Sequence, residues 1–524
     1  MPLALITGPA NAGKAEVVMD ALRAHLARGA KPLLVVPTRA DADHYLRELA
    51  GEGAAIGAQV ERFGGLIEET VRRAGVREQV LGGLARERVI ATIAAGERGR
   101  PVGPGFVSAL AAVIVELQVR RVTPARLEAA LARWTAADGA GASRQELGRL
   151  FADYRGTLQR IGRLDGEQRA VRALDALRRK PMLWRATPVL FYGFDDLTRL
   201  QLDAIETLGK VVGARVMVSL TFQAGRTAFA GRAATFAALA PIADEHRELP
   251  ARGDYYAPHA RTALGHLERS LFEPDAKRAD SAGAVRLLEG GGERAELELV
   301  AAEITRLLDG GMAPEDIAIV VRAPEAAADL LEEVLAHTRI PYALQRRRPF
   351  TDTALGRALI GLLRCAWSEG ELGDLLAWLR APGVLERPEL ADALELRARR
   401  AGITSVQGAR ALWEQRNWPL DTIDQLCEAA GRGAPALIER TTRELQRLFD
   451  APRRGQASVL DADELDEAGA LAAGRRALAE LRELARLAPE LAPAGAGELA
   501  GALEGVEIVS GERPTPGAVA VLDP

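Results

Sequence analysis

The sequence has 524 residues, 48% hydrophobic and 27% charged, with a formal net charge of -4. That length exceeds one domain, and the near-neutral balance excludes collagenous, wholly disordered and indiscriminately nucleic-acid-coating chains. Cys365 and Cys427 are the only cysteines, too few for a disulfide framework or an unaided four-thiolate zinc or iron–sulfur site, so a reducing, cytoplasmic setting is expected.

Residues 3–7 (LALIT) predict a short apolar strand that runs into a glycine-containing loop, Gly8 to Gly13. A helix follows, with Val17, Val18, Ala21, Leu22 and Leu26 on one stripe. The start MPLALITGPANAGK has no basic n-region and too short an apolar run for a signal peptide. Residues 33–36 form a continuous apolar run closed by Pro37, as in a buried parallel strand, and residues 41–49 predict the next helix. Strand, loop, helix and strand with short connections begin a doubly wound α/β domain.

From 76 to 182 the periodicity is helical, with apolar residues at three- and four-residue spacing in 127–134 and 145–161. The longest apolar stretch, 106–119, is broken by Ser108 and Glu116, so no membrane span is expected. Strands return at 188–194 (PVLFYGF) and 214–220 (ARVMVSL), which makes the helical block an insertion. Residues 223–283 have little periodicity and predict a connector. A second α/β unit opens with a strand at 285–288, a helix at 293–308 and a strand at 317–321. It continues with a helix at 326–337 and a strand at 342–344. Helices dominate again from 355 to about 500, before strands at 506–509 and 518–522.

Gly8-Pro-Ala-Asn-Ala-Gly13-Lys14-Ala15 fits the phosphate-loop pattern G-x-x-x-x-G-K, with Ala15 where the pattern has Ser or Thr. Backbone N–H groups of such a loop, with Asn11 and Ala12 inside it, curl around phosphate oxygens at a helix N-terminus. Lys14 would reach the terminal phosphates, while Ala15 has no hydroxyl for Mg²⁺. Lysine stands only at 14, 31, 180, 210 and 277 among the 68 basic residues, so its placement after Gly13 is not a compositional accident. ATP is therefore a candidate ligand.

A motor ATPase also needs an acidic pair at the end of a neighbouring strand, one carboxylate for Mg²⁺ and one for the attacking water. Residues 189–201, VLFYGFDDLTRLQ, resemble the second motif of UvrD-type superfamily 1 helicases, hydrophobic-hydrophobic-DEFQDxxxxQ. Phe194, Asp196 and Gln201 match, while Tyr192 and Gly193 fall where the family carries its catalytic Asp and Glu. Asp195 and Asp196 lie past the strand end and read as a loop or helix cap. Residues 291–350 resemble the stretch where these helicases enter their second motor domain: an acidic helix, a strand ending in Arg322, and Ile340-Pro341-Tyr342 before a basic turn. Thr38 and Arg39, after the second strand, resemble a motif that touches single-stranded DNA in the family.

A degraded motor with GFDDLT after the strand is most similar to AddB-type subunits of bacterial AddAB helicase–nucleases and related RecB-like proteins of the PD-(D/E)XK nuclease family. The resemblance implies an α/β fold of two RecA-like P-loop units, the second incomplete, each with a large α-helical insertion. Their parts fall at 1–75 and 186–222 for the first unit, with 76–185 inserted and 223–283 connecting. The second unit would take 284–365, the insertion 366–505 and returning strands 506–524. It implies a DNA-binding, helicase-like scaffold in double-strand break repair and recombination, paired with an AddA-like motor/nuclease subunit. The family's further motor motifs, nuclease domain and iron–sulfur cysteines are absent from these residues, so the chain reads as the N-terminal portion of a longer protein or as a truncated relative. Two rivals stay open: an active ATP-dependent helicase using Asp195 or Asp196, and an α/β interaction module with no DNA role.

Other features carry less. Glu273-Pro274-Asp275-Ala276-Lys277 superficially reads as a nuclease motif, but its carboxylates overlap in one irregular segment. The six histidines form no zinc pair, and Asp461, Asp463, Glu464, Asp466 and Glu467 lack the glycine of a calcium loop and predict a solvated helix start. Arg346, Arg347 and Arg348 are candidates for phosphate-backbone contact. Tyr45, Phe63, Tyr192, Trp367 and Trp413 are candidates to stack bases, but at 4% aromatic content most are expected in the core.

Overall fold

The computed structural model describes residues 3–51, 57–138, 141–453 and 462–523. They divide into two units, each with its own apolar core. Residues 1–80, 113–141 and 163–289 make the first, and residues 81–112, 142–162 and 290–524 the second.

The first unit is built on six parallel strands: β1 (Leu3–Gly8), β2 (Leu33–Val36), β3 (Gln59–Arg62), β4 (Val189–Phe191), β5 (Val216–Thr221) and β6 (Glu245–Glu248). Their order is β3-β2-β4-β5-β1-β6, and β1 pairs with β5 in a register that sets Gly8 opposite Thr221. Alternate side chains serve opposite faces. Leu5, Val35, Phe191 and Val218 pack with Trp184 on one side. Leu34, Val36 and Leu190 pack on the other against Val18, Met19 and Leu22 of helix α1 (Lys14–Ala27). Strands apolar on both faces require helices on both, which is the doubly wound arrangement. Helices α2 (Arg39–Ala50) and α3 (Phe63–Ala74) follow β2 and β3.

The 223–283 stretch, predicted as connector, contains β6 and the helices Ala233–Leu239 and Arg261–Ser270. β6 reads Glu-His-Arg-Glu, and all four residues are exposed. It lies at the sheet edge, where polar composition is the rule and the hydrophobic signal of a strand is missing. The strand predicted over 188–194 is realised only at β4, because Gly193 at φ 83° turns the chain away.

In the second unit, β7 (Ala318–Val320), β8 (Tyr342–Ala343), β9 (Gln345–Pro349), β10 (Glu507–Gly511) and β11 (Val519–Leu522) form two small sheets. β11 inserts between β7 and β8, parallel to both, while β9 and β10 pair antiparallel. Between β9 and β10 runs a helical block whose core includes Trp378, Trp413, Leu445 and Leu481. Two sequence expectations fail here or beside this unit. Residues 285–288 form no strand: Val285 and Leu287 are exposed, and no described strand lies beside them to complete a ladder. The basic turn at 346–348 is the middle of β9. No helix among the described residues is long and apolar enough to cross a membrane.

Candidate nucleotide site

At the C-terminal end of β1 the chain turns through a loop that only small residues permit. A Cβ on Gly8 would lie 2.8 Å from the Leu249 carbonyl oxygen and 2.9 Å from the Ala12 Cβ. Asn11 adopts φ 53° and Gly13 φ 83°, left-handed conformations that asparagine and glycine tolerate best. A Cβ on Gly13 would stand 2.9 Å from the Arg252 Nη1. Lys14 opens α1 directly after Gly13 and is 7% exposed. Its Nζ donates to the Gly8 carbonyl at 3.2 Å and to the Pro9 carbonyl. Burial, followed by the positive charge of Arg232, lowers the Lys14 ammonium to about 8.

Phosphate fits this cradle. Bare glycines, the free N–H groups of a helix start and a buried lysine are the donors that phosphate oxygens need. Magnesium does not fit. Ala15 supplies no hydroxyl, and β4 ends in Phe191 followed by Tyr192 and Gly193. Tyr192 donates its backbone N–H to the Val35 carbonyl at 3.0 Å and meets Tyr45 edge to face at 5.4 Å. Burial pushes both phenols up, so neither provides an anionic oxygen near neutral pH. A Cβ at Gly193 would lie 3.3 Å from the Pro37 Cδ, on a backbone at φ 83°.

The neighbouring acids are engaged elsewhere. Asp195 accepts from the Nη2 of Arg232, and Asp196 accepts from the Thr235 hydroxyl and the Leu197 N–H. Gln201 closes a capping box with Thr198 at the start of the helix Arg199–Glu206. Thr38 caps α2 in the same way with Asp41, and Arg39 pairs with Asp43 at 3.2 Å. Among the described residues no three His, Cys, Asp or Glu side chains group to hold a metal.

The structure thus brings Gly8 to Ala15, Thr38, Tyr192, Gly193, Asp195 and Asp196 to the C-terminal edge of one sheet, where open α/β sheets bind ligands. Sequence reasoning missed Arg232, Arg252 and Tyr255. Arg252 reaches Glu16 at 2.8 Å and Asp254 at 2.6 Å, with its guanidinium 4.9 Å from the Tyr255 ring centre. Arg252 and Tyr255 leave a trace in sequence only as the cluster Arg252-Gly-Asp-Tyr-Tyr256 inside a stretch without periodicity, and Arg232 leaves none.

The other candidates lie in the second unit. Arg322 is exposed just past β7. Arg346 holds Asp329 and Glu332, Arg347 holds Glu507 across the β9–β10 pair, and Arg348 holds Asp466. The acidic run does start a helix, Ala462–Leu487, and the three of its acids whose side chains are described, Glu464, Asp466 and Glu467, are engaged rather than solvated. Glu467 accepts from the backbone N–H groups of Ala354 and Leu355, and Glu464 pairs with Arg453. Asp461 and the side chain of Asp463 lie outside the described residues. Trp413 is buried and Trp367 half-exposed against Gly497. In the first unit, Glu273 of the nuclease-like string holds Arg226 and the Thr227 N–H. Cys365 is buried in a helix and Cys427 donates to the Ala366 carbonyl.

Comparison with known proteins places these features in a family. The family profile described as ADDB, N-terminal, matches residues 5–268. A protein of Desulforudis audaxviator, named as the B-type subunit of an ATP-dependent helicase/deoxyribonuclease, is 28% identical over 493 residues, 88% of this chain and 42% of its own length. A protein of the same name from Moorella thermoacetica is 26% identical over 509 residues, 87% of this chain and again 42% of its own length. One from Geobacillus thermodenitrificans reaches 31% over 155 residues, 26% of this chain and 13% of its own length. The chain therefore spans about two fifths of the curated relatives it matches along most of its length. With the profile covering half of its residues, the chain belongs to the family of AddB-type subunits.

Proposed function

We propose that the chain is a DNA-binding, helicase-like scaffold subunit of an AddAB-type helicase–nuclease in double-strand break repair and recombination. It acts in the cytoplasm together with an AddA-like motor/nuclease subunit. In this reading its two α/β units are RecA-like, and the first keeps its phosphate loop for nucleotide binding without hydrolysis. The names of the relatives support the assembly, since each is called a subunit of an ATP-dependent helicase/deoxyribonuclease.

One observation carries the loss of hydrolysis: an intact loop at Gly8 to Lys14 faces a strand end where Tyr192 and Gly193 replace the acidic pair. The backbone at Gly193 would strain any acidic side chain placed there. The rival helicase reading needs Asp195 or Asp196 for the metal, and their bonds to Arg232 and Thr235 weigh against it. The test is phosphate release by the purified protein with Mg·ATP and single-stranded DNA. No DNA-stimulated hydrolysis is expected, and a rate that disappears in Lys14→Ala would overturn the proposal. DNA binding that weakens steeply with salt is expected of a helicase-like surface. No binding at low salt would favour the interaction module instead.

A further inference from the structure

We infer that the candidate site takes the polyphosphate of a nucleotide without a divalent metal, the guanidinium of Arg232 standing in the cation's place. This rests on the nucleotide reading above and adds the source of the counter-charge.

A triphosphate in a phosphate loop is neutralised by the loop lysine and by a metal held between a hydroxyl and a carboxylate. Both metal ligands are replaced here, yet the phosphate cradle is kept. Arg232 is anchored beside the loop by two backbone carbonyls. Its Nη1 donates to the Thr221 carbonyl at 3.4 Å, and its Nε donates to the Asp195 carbonyl at 3.0 Å. Thr221 closes β5 and lies in register with Gly8, the first residue of the loop, while Asp195 follows β4. The guanidinium therefore bridges the end of β5 and the loop that follows β4, the strands next in order from β1, and its charge acts on Lys14.

Arg252 brings a third cation to the loop, 2.9 Å from the point where a Cβ on Gly13 would stand, with the Tyr255 hydroxyl 3.4 Å from the same point. Lysine and two guanidinium forks around bare glycines form a site for phosphate oxygens, since a guanidinium offers planar paired donors and keeps its charge. The acids that now neutralise the arginines are Asp195 on Arg232 and Glu16 and Asp254 on Arg252, and these are the groups with which a phosphate would compete. The Asp195 side chain is 83% exposed, so it returns to water readily when released.

The experiment titrates the full chain with a fluorescent N-methylanthraniloyl-ATP, in Mg²⁺ and in EDTA, as wild type, Arg232→Gln and Asp195→Asn. Wild-type affinities should agree within about twofold between the two buffers, and Arg232→Gln should weaken binding by about tenfold or more, as loss of a charge-assisted contact does. Asp195→Asn should tighten binding in both buffers because it removes the carboxylate charge that competes with phosphate for Arg232. Wild-type binding that requires Mg²⁺, or an Arg232→Gln protein that binds like wild type, would overturn the inference while leaving the nucleotide reading intact. So would an Asp195→Asn protein that loses affinity in Mg²⁺, the behaviour of a metal ligand. No binding by wild type in either buffer would sink the nucleotide reading itself. Because Asp195 is exposed, its variant keeps the test decisive even if Arg232→Gln fails to fold.

Discussion

Gly193 and Lys14 are both fixed by backbone geometry, one by a positive φ and one by two carbonyl acceptors. Introducing an acidic pair as Tyr192→Asp with Gly193→Glu forces a carboxylate side chain onto φ 83° beside Pro37. That should cost roughly 1–3 kcal/mol in urea denaturation, with no gain of Mg²⁺-dependent phosphate release, since Ala15 remains. Lys14 makes its own pH signature. Burial and Arg232 bring its ammonium from 10.5 to about 8. Between those values the unfolded chain binds more protons, so the destabilisation from this charge is complete below about pH 8 and fades as pH rises toward 10.5. Urea midpoints measured from pH 8 to 10 should rise for wild type relative to Lys14→Met, and parallel curves would refute the assignment. The loop residues were readable because spacing and a rare lysine mark them. Arg232 and Arg252 were not, since an arginine among so many carries no local pattern and acquires its role only when β4, β5 and β1 meet.

Elements show the same division between pattern and partnership. β1, β2 and β5 announce themselves as apolar runs because both sheet faces are covered. β6 and β9 are polar, and only the neighbour to which each is hydrogen-bonded makes it a strand. Residues 285–288 have the composition of a strand and lack that neighbour. Caps from distant sequence are equally silent: Glu467 accepts from the Ala354 and Leu355 N–H groups at 2.8 and 2.9 Å, at the start of the helix Ala354–Cys365. Glu467→Ala should therefore destabilise the second unit by about 1–2 kcal/mol, the worth of a charged helix cap, as read by chemical denaturation. On β9 the three arginines separate by exposure, with the Arg347 side chain 72% exposed and that of Arg346 12%. If β9 meets DNA, Arg347→Ala should lower the slope of log affinity against log salt by about one, the loss of one phosphate contact. Arg346→Ala should act on stability instead, because it leaves Asp329 and Glu332 without their shared partner.

At the scale of the whole chain, the division into two compact units predicts that heat denaturation is not a single two-state event. Calorimetric enthalpy should exceed the van't Hoff enthalpy, and equality of the two would contradict independent units. The α/β class and the alternation of sheet and helical block were legible because hydrophobic period changes along the chain. The sheet order was not, since β1 neighbours β5 and β6 rather than the strand that follows it. The position of β11 has a consequence for biosynthesis. It fills the gap between β7 and β8, yet the ribosome makes it only after the entire helical block has emerged. At about 5–20 residues per second, β7 and β8 wait roughly 10–35 s with unsatisfied main-chain edges. That interval is when a holdase chaperone would find its target, and a ribosome stalled anywhere in the helical block would release a nascent chain whose second unit cannot close its sheet.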